Sequence, residues 1–135
     1  MDVRELKAEH RRMACELWRD AGLTRSWNSP DEDFDRALAG PTSTVLGVVT
    51  DGVVVATAMV GHDGHRGWVY YLAVSGPFQR QGIGSMLMSS AEEWVRRAGI
   101  PKIQLMVRDE NAAAQSFYER LGFEDAHVTT MGRWL

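Results

Sequence analysis

Seven consecutive residues, Trp68-Val69-Tyr70-Tyr71-Leu72-Ala73-Val74, form an almost unbroken apolar run. A strand with one wet face would alternate, so this run reads as a central strand covered on both faces. After Ser75-Gly76-Pro77 the apolar spacing lengthens. Ile83, Met86, Leu87, Ala91, Trp94, Val95 and Ala98 mark one face of a long helix, closed by Gly99 and Pro101. A buried strand running into an amphipathic helix commits the chain to a mixed α/β fold.

The flanking segments fill in that fold. Val3 to Lys7 alternates weakly as a strand, and Met13, Ala14, Leu17, Trp18 and Ala21 recur at helical spacing up to Gly22. Ser29-Pro30-Asp31-Glu32 has the form of a capping box with proline at the first helical position, and Phe34 and Leu38 give that helix its apolar face. Thr44–Thr50 and Val53–Val60 flank Asp51-Gly52, a two-residue hairpin signal. The glycine-punctuated segment 61–67 then leads into the central strand. Ile103, Leu105 and Val107 alternate as a further strand. Ala114, Phe117 and Leu121 define a last helix capped by Gly122, and Val128 to Trp134 reads as a final strand. The expected order is β-α-α-β-β-β-α-β-α-β. Trp18, Trp94 and Trp134 are expected in the core, with Trp27 and Trp68 beside a cleft.

Composition bounds the function classes. The length of 135 residues, without repeat or linker, suits a single domain over 1–135. With 44% hydrophobic and 24% charged residues the chain is ordinary globular material rather than disordered. No apolar run reaches the ~18–20 residues of a membrane helix, and the start, MDVRELKAEH, carries acids where a signal peptide is apolar. The net charge of −3 argues against nucleic acid as a partner. Cys15 is the single cysteine, so no internal disulfide forms. These features predict a soluble, cytoplasmic protein that engages no membrane.

The segment with the most chemical content is Gln79-Arg80-Gln81-Gly82-Ile83-Gly84-Ser85. It lies between the buried strand and the long helix. Glycines let the backbone turn tightly and approach a ligand, and the unpaired N–H groups of a helix start favour a phosphate. Arg80 adds a positive charge. A purely structural tight turn is the plain alternative. A dinucleotide fingerprint would need glycine where Leu87 stands, and no Gly-Lys-Ser/Thr follows, so both nucleotide motifs fail.

The pattern Gln-x-x-Gly-x-Gly after a strand ending Leu72-Ala73-Val74, with Asn111 and Phe117-Tyr118-Glu119-Arg120-Leu121-Gly122-Phe123 downstream, resembles the GNAT superfamily of acetyl-CoA-dependent N-acetyltransferases. Trp27-Asn28-Ser29-Pro30, Asp63-Gly64-His65-Arg66-Gly67 and Tyr70-Tyr71-Leu72 are similar to the bacterial YpeA-type acetyltransferases within it. The resemblance implies a single domain with a mostly antiparallel sheet, a splayed central strand and flanking helices. It implies acetyl-CoA as co-substrate, its pantetheine arm against the backbone of Leu72, Ala73 and Val74. The pyrophosphate would rest on the amides of Arg80, Gln81, Gly82, Ile83, Gly84 and Ser85. Asn111 would touch the CoA arm, although it also suits the N-cap of the last helix. Tyr118 would protonate the departing thiolate, although it also suits packing beside Phe117. Members often form dimers, so a homodimer is expected.

The implied reaction is direct attack of a primary amine, on a small molecule or a peptide, on the thioester, with a strand amide near Val74 stabilising the oxyanion. The amine must be neutral, which calls for a base or a water chain ending at one. His65 is a candidate by its ordinary pKa, with Asp63 and Glu110 behind it. His62 and His65 have no further ligands nearby in the sequence, so no metal is expected. Asp31, Glu32, Asp33 and Asp35 either stabilise a helix N-terminus or draw in a cationic acceptor. The alternative function is a non-catalytic acyl-CoA-binding or sensing module, and a purely structural domain is a third reading.

Overall fold

The hairpin at Asp51-Gly52 organises the sheet. Both residues have positive φ, 51° and 77°, the conformation of a tight turn whose twist matches its strands. It joins β2 (Ser43–Thr50) to β3 (Val53–His62), which pair antiparallel from Thr50↔Val53 to Ser43↔Gly61. β1 (Arg4–Glu5) pairs antiparallel with β2, and β4 (Gly67–Val74) with β3. β5 (Ile103–Leu105) runs parallel to β4. The result, in a computed structural model describing residues 1–135, is a five-stranded sheet in the order β1-β2-β3-β4-β5, antiparallel except at its last pair.

Four α-helices accompany the strands: α1 (Arg11–Asp20), α2 (Pro30–Ala39), α3 (Ile83–Arg97) and α4 (Ala112–Arg120). α1 begins after a 3-10 turn at Ala8–His10, and Gly22 follows it at a φ of 72°. Ser29 Oγ accepts from the Glu32 amide at 3.3 Å, so half of the expected capping box forms; the Glu32 carboxylate lies instead 3.9 Å from Arg36. α1 and α2 share one core with the sheet, in which Trp18, Phe34, Val45 and Ala73 are buried and Trp18 meets Phe34 at 6.1 Å between ring centres. α3 buries Ile83, Leu87, Met88, Ala91 and Val95. No helix is long and apolar enough to cross a membrane.

Two compact units divide the chain, Met1–Leu105 and Met106–Leu135. The second consists of α4 and a C-terminal stretch without regular structure. The expected final strand over Val128 to Trp134 does not form: the sheet has five strands and this segment is not among them. Apolar alternation makes a strand only where an edge offers hydrogen bonds, and periodicity alone cannot supply one. Trp134 is accordingly 74% exposed rather than in the core, and Val107 lies beyond β5. Trp94 is only half-buried. β4 is also less covered than expected, since Tyr70 is exposed while Val69 and Ala73 are buried.

At Gly67, α3 packs tightly against β4. A Cβ there would sit 2.6 Å from both γ-carbons of Val95, a branched side chain on a helix that cannot swing aside. Gly67→Ala is expected to cost about 1–3 kcal/mol by overpacking. Gly76→Ala, with open space around it, should stay within about 0.5 kcal/mol of the parent. Urea denaturation of the pair checks this; equal midpoints would contradict the packing.

Candidate active site

β4 is held differently along its two edges. It pairs with β3 as far as Val74, but with β5 only at Gly67, Trp68 and Val69. Residues 70–74 therefore have a strand partner on one side only, which leaves the other edge of β4 open to pairing there. Within this stretch the ladder is irregular: Met59 faces Tyr70 and Thr57 faces Ala73, so Tyr71 and Leu72 together oppose Ala58. This is a β-bulge. Tyr71 adopts a φ of 53°, a left-handed conformation costing a bulky residue about 1–3 kcal/mol.

Three contacts hold Tyr71 there. The Thr57 hydroxyl donates to its carbonyl at 2.9 Å, its ring stacks on Trp18 at 3.9 Å and 10°, and its phenol donates to Asp33 Oδ2 at 2.8 Å. Trp18 Nε1 donates in turn to Thr57 Oγ1 at 2.8 Å, inside the core. Burial, then the Asp33 hydrogen bond, raise the Tyr71 pKa well above the usual phenol range. Past the bulge, Ser75 N–H donates to the Val55 carbonyl at 2.8 Å, so Ala73 pairs inward with Thr57 and Val74 turns its backbone outward. The Val74 carbonyl accepts from Gln79 Nε2 at 3.0 Å.

The turn that follows ends in the start of α3. Gly82 is the N-cap at a φ of 79°, and Arg80 precedes it at 63°. Gly84 needs no such freedom, because it already lies in the first helical turn. The helices α2 and α4 are capped by the side chains of Ser29 and Asn111; α1 and α3 have no side-chain cap and no acid in the first turn, but α1 continues from a 3-10 turn whereas α3 starts directly on Gly82. Met86 makes the first helical bond, to the Gly82 carbonyl at 3.1 Å. The amides of Ile83, Gly84 and Ser85 are thus left at the positive end of the helix dipole. Ile83 is buried and anchors the turn, while Gln79 and Gln81 brace it through the carbonyls of Val74 and Pro77.

Asn111 and Tyr118 belong to the second unit. Asn111 Oδ1 accepts from the Ala114 amide at 3.1 Å, the capping role that its position suggested. Tyr118 packs edge-on against Phe117 and Phe123, at 5.0 and 5.7 Å, and burial pushes its pKa up to about 12. His65 is exposed in the β3–β4 turn. From Gly67 to Val74 is seven residue steps, roughly 23 Å along a strand. His65 therefore lies at the opposite end of β4 from Val74. Asp63 accepts the amides of His65 and Arg66 at 2.9 and 2.8 Å, bonds that lower its pKa and tie it to the turn. Cys15 is fully buried, and burial followed by a hydrogen bond with Asp31 pushes its thiol up to about 12. Such a thiol is inert.

Two acids of α2 have close partners: Asp33 binds Tyr71 and Arg36, and Asp35 pairs with Arg11 at 2.9 Å. Sequence reasoning missed Thr57, whose only signal is a polar residue inside the apolar run Val53 to Val60, and missed the bulge altogether. No group of three or more His, Cys, Asp or Glu is placed to hold a metal ion.

The chain belongs to the acetyltransferase (GNAT) family, which it matches over residues 8–123. Its fold is similar to that of the aminoglycoside N-acetyltransferase AAC(6')-Iy, solved in complex with a bisubstrate analogue, CoA-S-monomethyl-acetylneamine. That likeness has a TM-score of 0.83 at 17% identity, covering 99% of this chain and 97% of that one. A putative acetyltransferase from Agrobacterium tumefaciens matches with a TM-score of 0.83 and 19% identity over 99% and 100% of the two chains. Glucosamine-6-phosphate N-acetyltransferase from Arabidopsis thaliana matches with 0.76 and 20% over 98% and 97%.

All three tyrosines, Tyr70, Tyr71 and Tyr118, have pKa values raised by burial. A raised folded-state pKa adds stability that is complete below the unfolded value, about 10, and is lost as pH climbs toward the folded one. Tyr71 and Tyr118 should therefore add no phenolate absorbance through about pH 10 and titrate only together with unfolding at higher pH. Titration of all three phenols centred near 10 in the folded protein would contradict this.

Proposed function

We propose that this chain transfers the acetyl group of acetyl-CoA to a primary amine, by direct attack of the amine within a ternary complex. The observation that carries the reading is the uncapped start of α3 placed just after the open half of β4. The two features suit the two parts of one ligand. The free amides of Ile83, Gly84 and Ser85, with Arg80 and the turn at Gln81-Gly82, would bind the pyrophosphate. The outward backbone of β4 near Leu72 and Val74 would pair with the peptide-like pantetheine arm, with Ala73 keeping the strand seated on β3.

The Val74 N–H, directed to the open side, is the group available to a developing oxyanion. A donor of this kind contributes about 3–4 kcal/mol in enzymes where one has been removed. Tyr118 holds its proton at neutral pH as any phenol does, and burial strengthens that hold by raising its pKa. That proton is available to the leaving sulfur, but a phenol near 12 is a weaker acid than a free one. Its contribution is a factor rather than the origin of the reaction. Asn111 both caps α4 and, by the family pattern, contacts the CoA arm.

The acceptor class we favour is a small-molecule amine. The names of two fold relatives specify aminoglycoside and glucosamine-6-phosphate N-acetylation. The YpeA-type motifs suit a bacterial, cytoplasmic setting, where acetyl-CoA is at hand, and a homodimer is the expected assembly.

Thermal denaturation with acetyl-CoA, against NADH and ATP as controls, tests the donor site. Ligand at 100 times its Kd should add about 2.7 kcal/mol, several degrees in Tm. A shift specific to acetyl-CoA followed by thiol release with an amine panel establishes the transferase. A shift without thiol release leaves the acyl-CoA-binding module, and no shift at millimolar ligand refutes both. Tyr118→Phe is expected to lower kcat roughly tenfold or more, with acetyl-CoA affinity little changed; unchanged turnover across pH removes Tyr118 as the acid.

A further inference from the structure

We infer that Thr57 is a positioning residue for the acyl-donor site. Its buried hydroxyl, by binding the Tyr71 carbonyl, holds the bulge that turns the Val74 amide to the open side of β4. The inference rests on reading that open side as the donor site.

The phase of the strand shows what the bulge does. Gly67 faces α3, since a Cβ there would meet Val95, and its N–H donates to the Lys102 carbonyl at 2.9 Å, away from β3. In an unbroken strand both orientations repeat every second residue. Tyr71 would then face α3, and the amides of Ala73 and Ser75 would turn to the open side. The structure has the reverse. Tyr71 lies on Trp18 of α1, and Ser75 donates inward to Val55. The phase inverts where Tyr71 and Leu72 oppose the single residue Ala58. A one-residue slip exchanges every group of a strand between its two directions. The outward amide of Val74 therefore exists because the bulge does.

Of the groups that hold Tyr71, only Thr57 grips the backbone. The other two hold the ring and the phenol. Thr57 is fully buried, and the Trp18 indole occupies one of its lone pairs, which leaves its proton directed at the Tyr71 carbonyl. Without that hydroxyl the carbonyl would be short of its buried partner, and the left-handed turn would lose its backbone anchor.

The test is a graded series, Thr57→Ser, Thr57→Cys and Thr57→Val, in which the donor weakens from hydroxyl to thiol to none. Acetyl-CoA affinity is measured by calorimetry. The register is read by nuclear Overhauser effects between Ala56 and Val74, which face each other across β3 and β4 in the parent. Thr57→Ser should bind within about threefold of the parent, and Thr57→Val roughly tenfold or more weaker. In Thr57→Val the Ala56–Val74 signal should also vanish and the Trp18 indole N–H resonance move upfield. A folded Thr57→Val that keeps both the affinity and the Ala56–Val74 signal overturns the assignment. Should Thr57→Val fail to fold, Thr57→Cys decides: binding equal to Thr57→Ser overturns the inference, and roughly tenfold weaker binding supports it. A parent protein that ignores acetyl-CoA refutes the donor site instead. In that event the Ala56–Val74 signal alone still judges whether Thr57 holds the bulge.

Discussion

A tyrosine at positive φ inside a strand does not persist on its own merits, because Cβ crowds the neighbouring carbonyl. Tyr71 persists because Thr57, Trp18 and Asp33 hold its carbonyl, ring and phenol from three different elements. That grip joins α1, α2 and β3 to β4. It lets one buried threonine, in an otherwise apolar run, determine the direction of backbone groups three residues further on.

The open half of β4 and the start of α3 use backbone rather than side chains to present their chemistry. This suits a ligand whose recognisable parts are an amide-bearing arm and a pyrophosphate. The contrast among helix starts carries the same logic. Ser29 and Asn111 consume amides of α2 and α4, whereas α3 begins on Gly82, which has no side chain to do so. The first turn of α2 carries Asp31, Glu32 and Asp33, which satisfy its dipole from within the protein. At α3 the dipole is answered by no acid of the first turn, and Arg80 adds to it.

Burial also sorts the titratable groups. It raises the pKa of the Cys15 thiol and of the Tyr118 phenol, and both follow from the cost of placing a negative charge away from water. The exposed turn at the other end of β4 makes no such demand. Its Asp63 is used up by turn amides and its His65 faces solvent.

Much of this was legible in the chain itself. The Asp51-Gly52 turn, the glycines closing α1, α3 and α4, the Ser29 cap and the Gly82 start of α3 depend on backbone preferences of a few adjacent residues. Helical spacing of apolar residues placed α1, α3 and α4 for the same reason. The bulge, the outward turn of Val74, the distance of His65 and the absence of a last strand were decided only by tertiary structure. Each depends on partners remote in sequence: Thr57 lies 14 residues from Tyr71 and 39 from Trp18. Residues 128–134 have strand-like alternation but join no strand of the sheet. Local pattern specifies an element's type, but hydrogen-bond partners from elsewhere in the chain specify its register, its defects and whether it forms at all.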